Sequence, residues 1–106
     1  MSFAVKVYCT TKQFPREEIY GLSSQIRRAV VSISSNIAEG CSRASHKEFR
    51  HYLEIALGSA FEVETQIILS TQLGMISESE QSDCLKSIHA LQKSINAFIK
   101  STKQFA

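Results

Sequence analysis

The sequence holds no tryptophan, one proline and four glycines in 106 residues. So few turn-formers argue against a sandwich or a barrel, which needs many tight turns. With an apolar fraction of 43%, the same scarcity argues against a disordered chain. No apolar stretch approaches the ~20 residues of a membrane span, so no membrane partner is expected. The opening MSFAVKVYCTTK has neither an apolar signal-peptide core nor a small-residue cleavage site, so no export is expected. Cysteine is sparse: Cys9, Cys41 and Cys84 are far apart, odd in number and form no C-x-x-C. That usage points to reduced thiols in a cytoplasmic protein. Charge of either sign is not in excess: the formal net charge is +2, well short of a dedicated nucleic-acid arm.

What is present is helical periodicity. The length suits one domain spanning residues 1–106, large enough for a modest core. A short first helix is predicted over about residues 2–12, where Phe3, Val7 and Tyr8 recur at helical spacing. Phe14-Pro15 ends it, and Pro15, Glu17 and Glu18 suit the first turn of the next. That second helix is predicted from Arg16 to Cys41, with Leu22, Ile26, Ala29, Val30, Ile33 and Ile37 inside an arc of about 80–100°. Gly40 reads as its stop. Ser45-His46-Lys47-Glu48 is a capping box for a third helix, with Phe49, Leu53, Ala56, Ala60, Val63 and Ile67 as its buried stripe and Gly74 as its left-handed end. Ser77-Glu78-Ser79-Glu80 is a second capping box. The fourth helix then carries Cys84, Ile88, Leu91, Ile95 and Phe98 as a heptad-like seam. Its acidic start and lysine-bearing end complement the helix dipole. Short connections between long amphipathic helices place neighbours antiparallel, so the expected fold is all-α: an up-and-down four-helix bundle with a short first helix.

Candidate functional residues fall into two sets. Arg27, Arg28, Arg43, Lys47 and Arg50 cluster along the chain against only Glu39 and Glu48, and could meet phosphate. Arg43, Lys47 and Arg50 gather near the third helix's start, where amides and the helix dipole favour anions. Arg27 and Arg28 could equally pair with Glu39, Glu54, Glu62 or Glu64. The second set is Val31, Ile55, Gly58 and Leu69, which point away from the core stripes and suggest burial by another subunit. Glu64 and Asn36 border the core and should have hydrogen-bonding partners. No metal or other cofactor is expected: His46 and His51 do not share a helix face, and Glu48-Phe49-Arg50-His51 is a lone E-x-x-H where a di-iron bundle needs two. Cys41 and His46 flank one loop but make no nucleophile–base constellation, and no glycine-rich phosphate loop is present, so the chain is not expected to be an enzyme.

The stretch QIRRAVVSISSNIAEG from Gln25 to Gly40, followed by Arg43, Lys47-Glu48-Phe49 and Ala56-Leu57-Gly58-Ser59, closely resembles the 23S rRNA intervening-sequence protein family. Phe14-Pro15, Tyr20-Gly21-Leu22 and Leu73-Gly74 fit the same pattern, so the resemblance spans nearly the whole chain. Two departures stand out. Ser34 replaces a proline usual in the family, which weakens or removes a kink, and the first helix looks shorter than in relatives. The resemblance implies a four-helix bundle that assembles into rings, commonly homopentamers, without established enzymatic activity. It also implies a relation to the basic accessory protein of diversity-generating retroelements, and so RNA or DNA as a ligand. The alternative is a protein-binding adaptor that docks a partner without touching nucleic acid.

Overall fold

A computed structural model describes residues 21–104. The predicted short first helix, Cys9, Phe14-Pro15, Glu17 and Glu18 lie outside the described residues. The described part is all-α, with three helices and no strand among the described residues: α1 (Leu22–Cys41), α2 (His46–Gln72) and α3 (Glu78–Gln104). α1 begins later than the predicted Arg16, because Gly21 leaves the α region with φ −107° and ψ −120°. It then runs unbroken through Ser34, which retains the backbone donor that a proline would lack.

The helix ends follow local chemistry. The Ser45 hydroxyl accepts from the Glu48 amide at 3.1 Å. At Ser77 both halves of the box form: its hydroxyl accepts from the Glu80 amide at 3.0 Å, and its own amide donates to the Glu80 carboxylate at 3.0 Å. α2 closes with paired bonds, Gly74 N to Thr71 O at 3.0 Å and Met75 N to Ser70 O at 2.9 Å. That closure needs a left-handed residue, and Gly74 supplies φ 77°. α1 ends differently from expectation. Gly40 is a buried residue inside the helix and not its stop. The final turn is tied off by Ser42 N to Glu39 O at 3.2 Å and Arg43 N to Gly40 O at 3.1 Å, with the Ser42 hydroxyl also donating to Glu39 O at 2.7 Å.

All three helices feed one core. Ile26, Ala29, Val30 and Ile33 of α1 meet Leu53, Ala56, Ala60, Val63 and Ile67 of α2, and Cys84, Ile88, Ile95 and Ile99 of α3. Leu22, Ile37, Phe49 and Leu91 pack at its margin. The predicted seam of α3 fails at one position: Phe98 is 58% exposed and Ile99 is buried in its place. A straight helix drifts about 20° per heptad from a 3.5-residue repeat. Phe98 stands two heptads after Cys84, so its predecessors' seam has turned about 40° away and the next residue takes the inward direction.

α1 and α2 are antiparallel, since Ser32 meets Ser59 while Gly40 meets Phe49 and Tyr52. α2 is the central element. α1 and α3 each pack on it, and no Cα pair of α1 and α3 comes within 8 Å. Polar residues pin both interfaces. Ser32 and Ser59 hydroxyls bond across α1 and α2 at 2.9 Å, and Asn36 donates to the Ser32 carbonyl at 2.8 Å and hydroxyl at 3.1 Å. On the other side Gln92 donates to the Glu64 carboxylate at 2.8 Å, whose second oxygen lies 3.5 Å from His89 Nε2. Asn36 and Glu64 thus have the partners their positions demand.

Candidate nucleic-acid interface

The corner between α1 and α2 is where close packing and charge coincide. It starts with Gly40. A Cβ at that position would stand 2.9 Å from Phe49 Cδ1 and 3.0 Å from Tyr52 Cβ, so only glycine lets the two backbones come this close. Three residues on, Arg43 spans the corner. One guanidinium nitrogen, Nη2, donates both to the Glu39 carboxylate on α1 and to the Tyr52 hydroxyl on α2, the latter at 3.0 Å. The guanidinium carbon is 5.0 Å from the Tyr52 ring centroid, within cation–π reach. His51 meets Tyr52 nearly edge-on, with centroids 5.4 Å apart and planes at 71°. Arg43, Ser45, Lys47, Glu48, His51 and Tyr52 line one open pocket.

The Arg43–Glu39 pair is solvent-facing, with side-chain exposures of 36% and 49%. Such pairs contribute about 0–1 kcal/mol, so this one orients Arg43 more than it stabilises the fold. The arginine retains capacity: its other terminal nitrogen and Nε still carry donors. Lys47 is exposed and has no ion-pair partner among the described residues.

The five predicted basic residues therefore do not form one patch. Arg43 and Lys47 come together in the pocket. Arg50 is half-buried and does not line it. Arg27 is half-buried and Arg28 exposed, both on α1. Arg28 lies thirteen residues before the helix end at Cys41, or about 20 Å along the axis. Glu39, expected as a partner for Arg27 or Arg28, pairs with Arg43 instead. Sequence reasoning missed Tyr52 and His51 as members of the site. Their signal was the Tyr52 spacing of three from Phe49, which puts both on the helix face that receives Gly40.

The predicted outward residues are all exposed: Val31 at 50%, Ile55 at 40%, Leu69 at 41%, and Gly58. They occupy two surfaces. Val31 is nine residues before Gly40, half a turn around α1, so it points away from α2. Ile55, Gly58 and Leu69 share the outer stripe of α2. Exposed Phe61, Leu73 and Phe98 were not anticipated. A Cβ added at Gly58 would touch nothing within 4 Å, so this chain's own packing does not require glycine there. Among the described residues, no group of three or more His, Cys, Asp or Glu could hold a metal ion. No helix among them is long and apolar enough to cross a membrane.

Comparison with known proteins adds two findings. The family model described as 23S rRNA-intervening sequence protein matches residues 1–97. Among solved structures, a protein of unknown function from the S23 ribosomal protein family of Bacteroides thetaiotaomicron superposes with a TM-score of 0.86. It is 27% identical, and the match covers 93% of each chain. No curated protein gives a significant match.

Proposed function

The chain belongs to the 23S rRNA-intervening sequence protein family, and from that premise we propose that it is a non-enzymatic, oligomeric bundle that binds RNA through basic surface at the α1–α2 corner. The observation that carries this reading is the convergence of Arg43 and Lys47 on one open, aromatic-bearing pocket. Phosphate contacts of this kind supply affinity without base readout. A single subunit offers few of them. A ring, in which every subunit repeats the pocket, makes weak contacts multivalent.

Self-association is supported by the outer stripe of α2. Ile55 and Leu69 leave apolar surface in solvent, and Gly58 between them carries a helix penalty of about 1 kcal/mol that no internal contact explains. Close approach of another helix accounts for both features. The homopentamer is the assembly we assign, and the cytoplasm, with Cys41 and Cys84 as free thiols, the compartment. Within each subunit, the separation of α1 from α3 leaves a fourth bundle corner, which we assign to the segment before Leu22. RNA binding measured across a salt series tests the function. The expected result is affinity that falls as salt rises, and no binding at low salt refutes the proposal.

A second reading, a protein-binding adaptor, is favoured by exposed Phe61, Leu73 and Phe98. It predicts partner capture that survives charge reversal at Arg43, Lys47 and Arg50 and is lost when the outward apolar residues are made polar.

A further inference from the structure

Resting on the RNA-binding reading above, we infer that the α1–α2 corner pocket takes an unpaired nucleotide, its phosphate held by Lys47 and Arg43 and its base stacked on the exposed His51 beside Tyr52. Three features of the pocket select this ligand over duplex. First, the cations are few but poised. Arg43 spends Nη2 on Glu39 and Tyr52, which fixes the guanidinium plane while Nη1 and Nε stay available for a phosphate. Lys47 adds a second charge on the same rim. Secondly, the pocket pairs these cations with two aromatic rings set at 71°, so a base lying flat on His51 sits beside Tyr52. Bases are free to splay onto such rings only in unpaired strands. Thirdly, Glu48 lines the same pocket, and Glu39 already faces Arg43. These carboxylates hold the local charge near balance. A duplex, which is bound for charge and shape, gains little from a balanced site, whereas stacking is insensitive to that balance.

The test is fluorescence anisotropy with the full-length protein, a short labelled unstructured RNA, the same strand annealed into a duplex, and the matching single-stranded DNA. Lys47 and His51 are exposed, so Lys47→Ala and His51→Ala leave the core intact. The unpaired RNA should bind more tightly than the duplex. His51→Ala should weaken the single strand about fivefold or more. Lys47→Ala should reduce the slope of log affinity against log salt by about 0.7 for each pocket engaged. Neither change should alter duplex affinity. Tight single-strand binding that both variants leave untouched overturns this site while RNA binding stands. Equal losses on single strand and duplex overturn the stacking role. Failure of wild-type protein to bind any RNA at low salt overturns the underlying function as well. The DNA arm reports whether the unpaired strand must be RNA: equal affinity overturns ribose discrimination, and weaker DNA binding supports the ribose 2′-hydroxyl as part of what the pocket reads.

Discussion

Gly40→Ala should destabilise the protein although alanine is the better helix former. Alanine in place of glycine inside a helix is worth about 1 kcal/mol. Against that gain, the new Cβ would stand 2.9 Å from Phe49 Cδ1 and 3.0 Å from Tyr52 Cβ. The Phe49 contact is with a ring edge that can swing. The Tyr52 contact is one bond from the backbone, so it is relieved only by moving α2 away from α1. Forcing a methyl into packed surroundings costs about 1–3 kcal/mol. The balance is a net loss of about 1 kcal/mol, or about 4–8 °C in Tm for a chain of this size. Gly58→Ala is the matched control, since its Cβ meets nothing within 4 Å. Freed of any partner it should gain about 0.5–1 kcal/mol. The two variants, melted side by side by circular dichroism, should therefore shift in opposite directions. Assembly ties apparent stability to concentration, so the comparison is made over a dilution series. At high concentration Gly58→Ala should also show a smaller assembly by light scattering, because the methyl fills the space a neighbouring helix would use. Equal stabilisation by both substitutions refutes the close-packing account of the corner.

Two further perturbations test local claims. Ser77→Ala removes the hydroxyl that accepts from Glu80 and should cost about 1 kcal/mol in urea denaturation. A cost near zero means that the Glu80 carboxylate bond to the Ser77 amide alone holds the cap. Ser32 and Ser59 face each other between α1 and α2, so a double-mutant cycle with alanine should return a coupling of about 0.5–1.5 kcal/mol. Strict additivity would show that their hydroxyl bond contributes nothing to holding the two helices together.

How far the fold was legible depended on whether the information was local. Caps and ends were readable because the Ser45 and Ser77 hydroxyls and the Gly74 backbone act within a few residues. The buried stripes of α1 and α2 were readable because 3.6-residue periodicity needs no partner. Phe98 was misplaced because a strict heptad accumulates error over two repeats while the helix does not follow it. Gly40 was misread for another reason. A glycine near a helix end resembles a stop, and what contradicts that reading is Phe49 and Tyr52 across the turn. Their distance from Gly40 depends on how α1 and α2 register, which no short window contains. The basic cluster failed similarly: Arg28 and Arg43 are neighbours in a charge count, yet a helix carries them about 20 Å apart.

The short string from Glu39 to Arg43 therefore has a structural meaning before it has a functional one. Gly40 sets the distance between α1 and α2, and that distance lets a single arginine reach Glu39 behind it and Tyr52 ahead of it. Arg43 is thus a clasp whose donors also face the pocket, and the two roles cannot be separated by removing it. Arg43→Lys is not conservative here, since an ammonium cannot reproduce the planar fork that makes two bonds from one nitrogen and presents others outward. Loss of ligand binding in an Arg43 variant would fit a collapsed corner as well as a missing phosphate contact. Lys47 and His51 carry no such ambiguity. They lie on the same rim without holding α1 to α2, so the chemistry of the pocket is to be read through them and the architecture of the corner through Gly40.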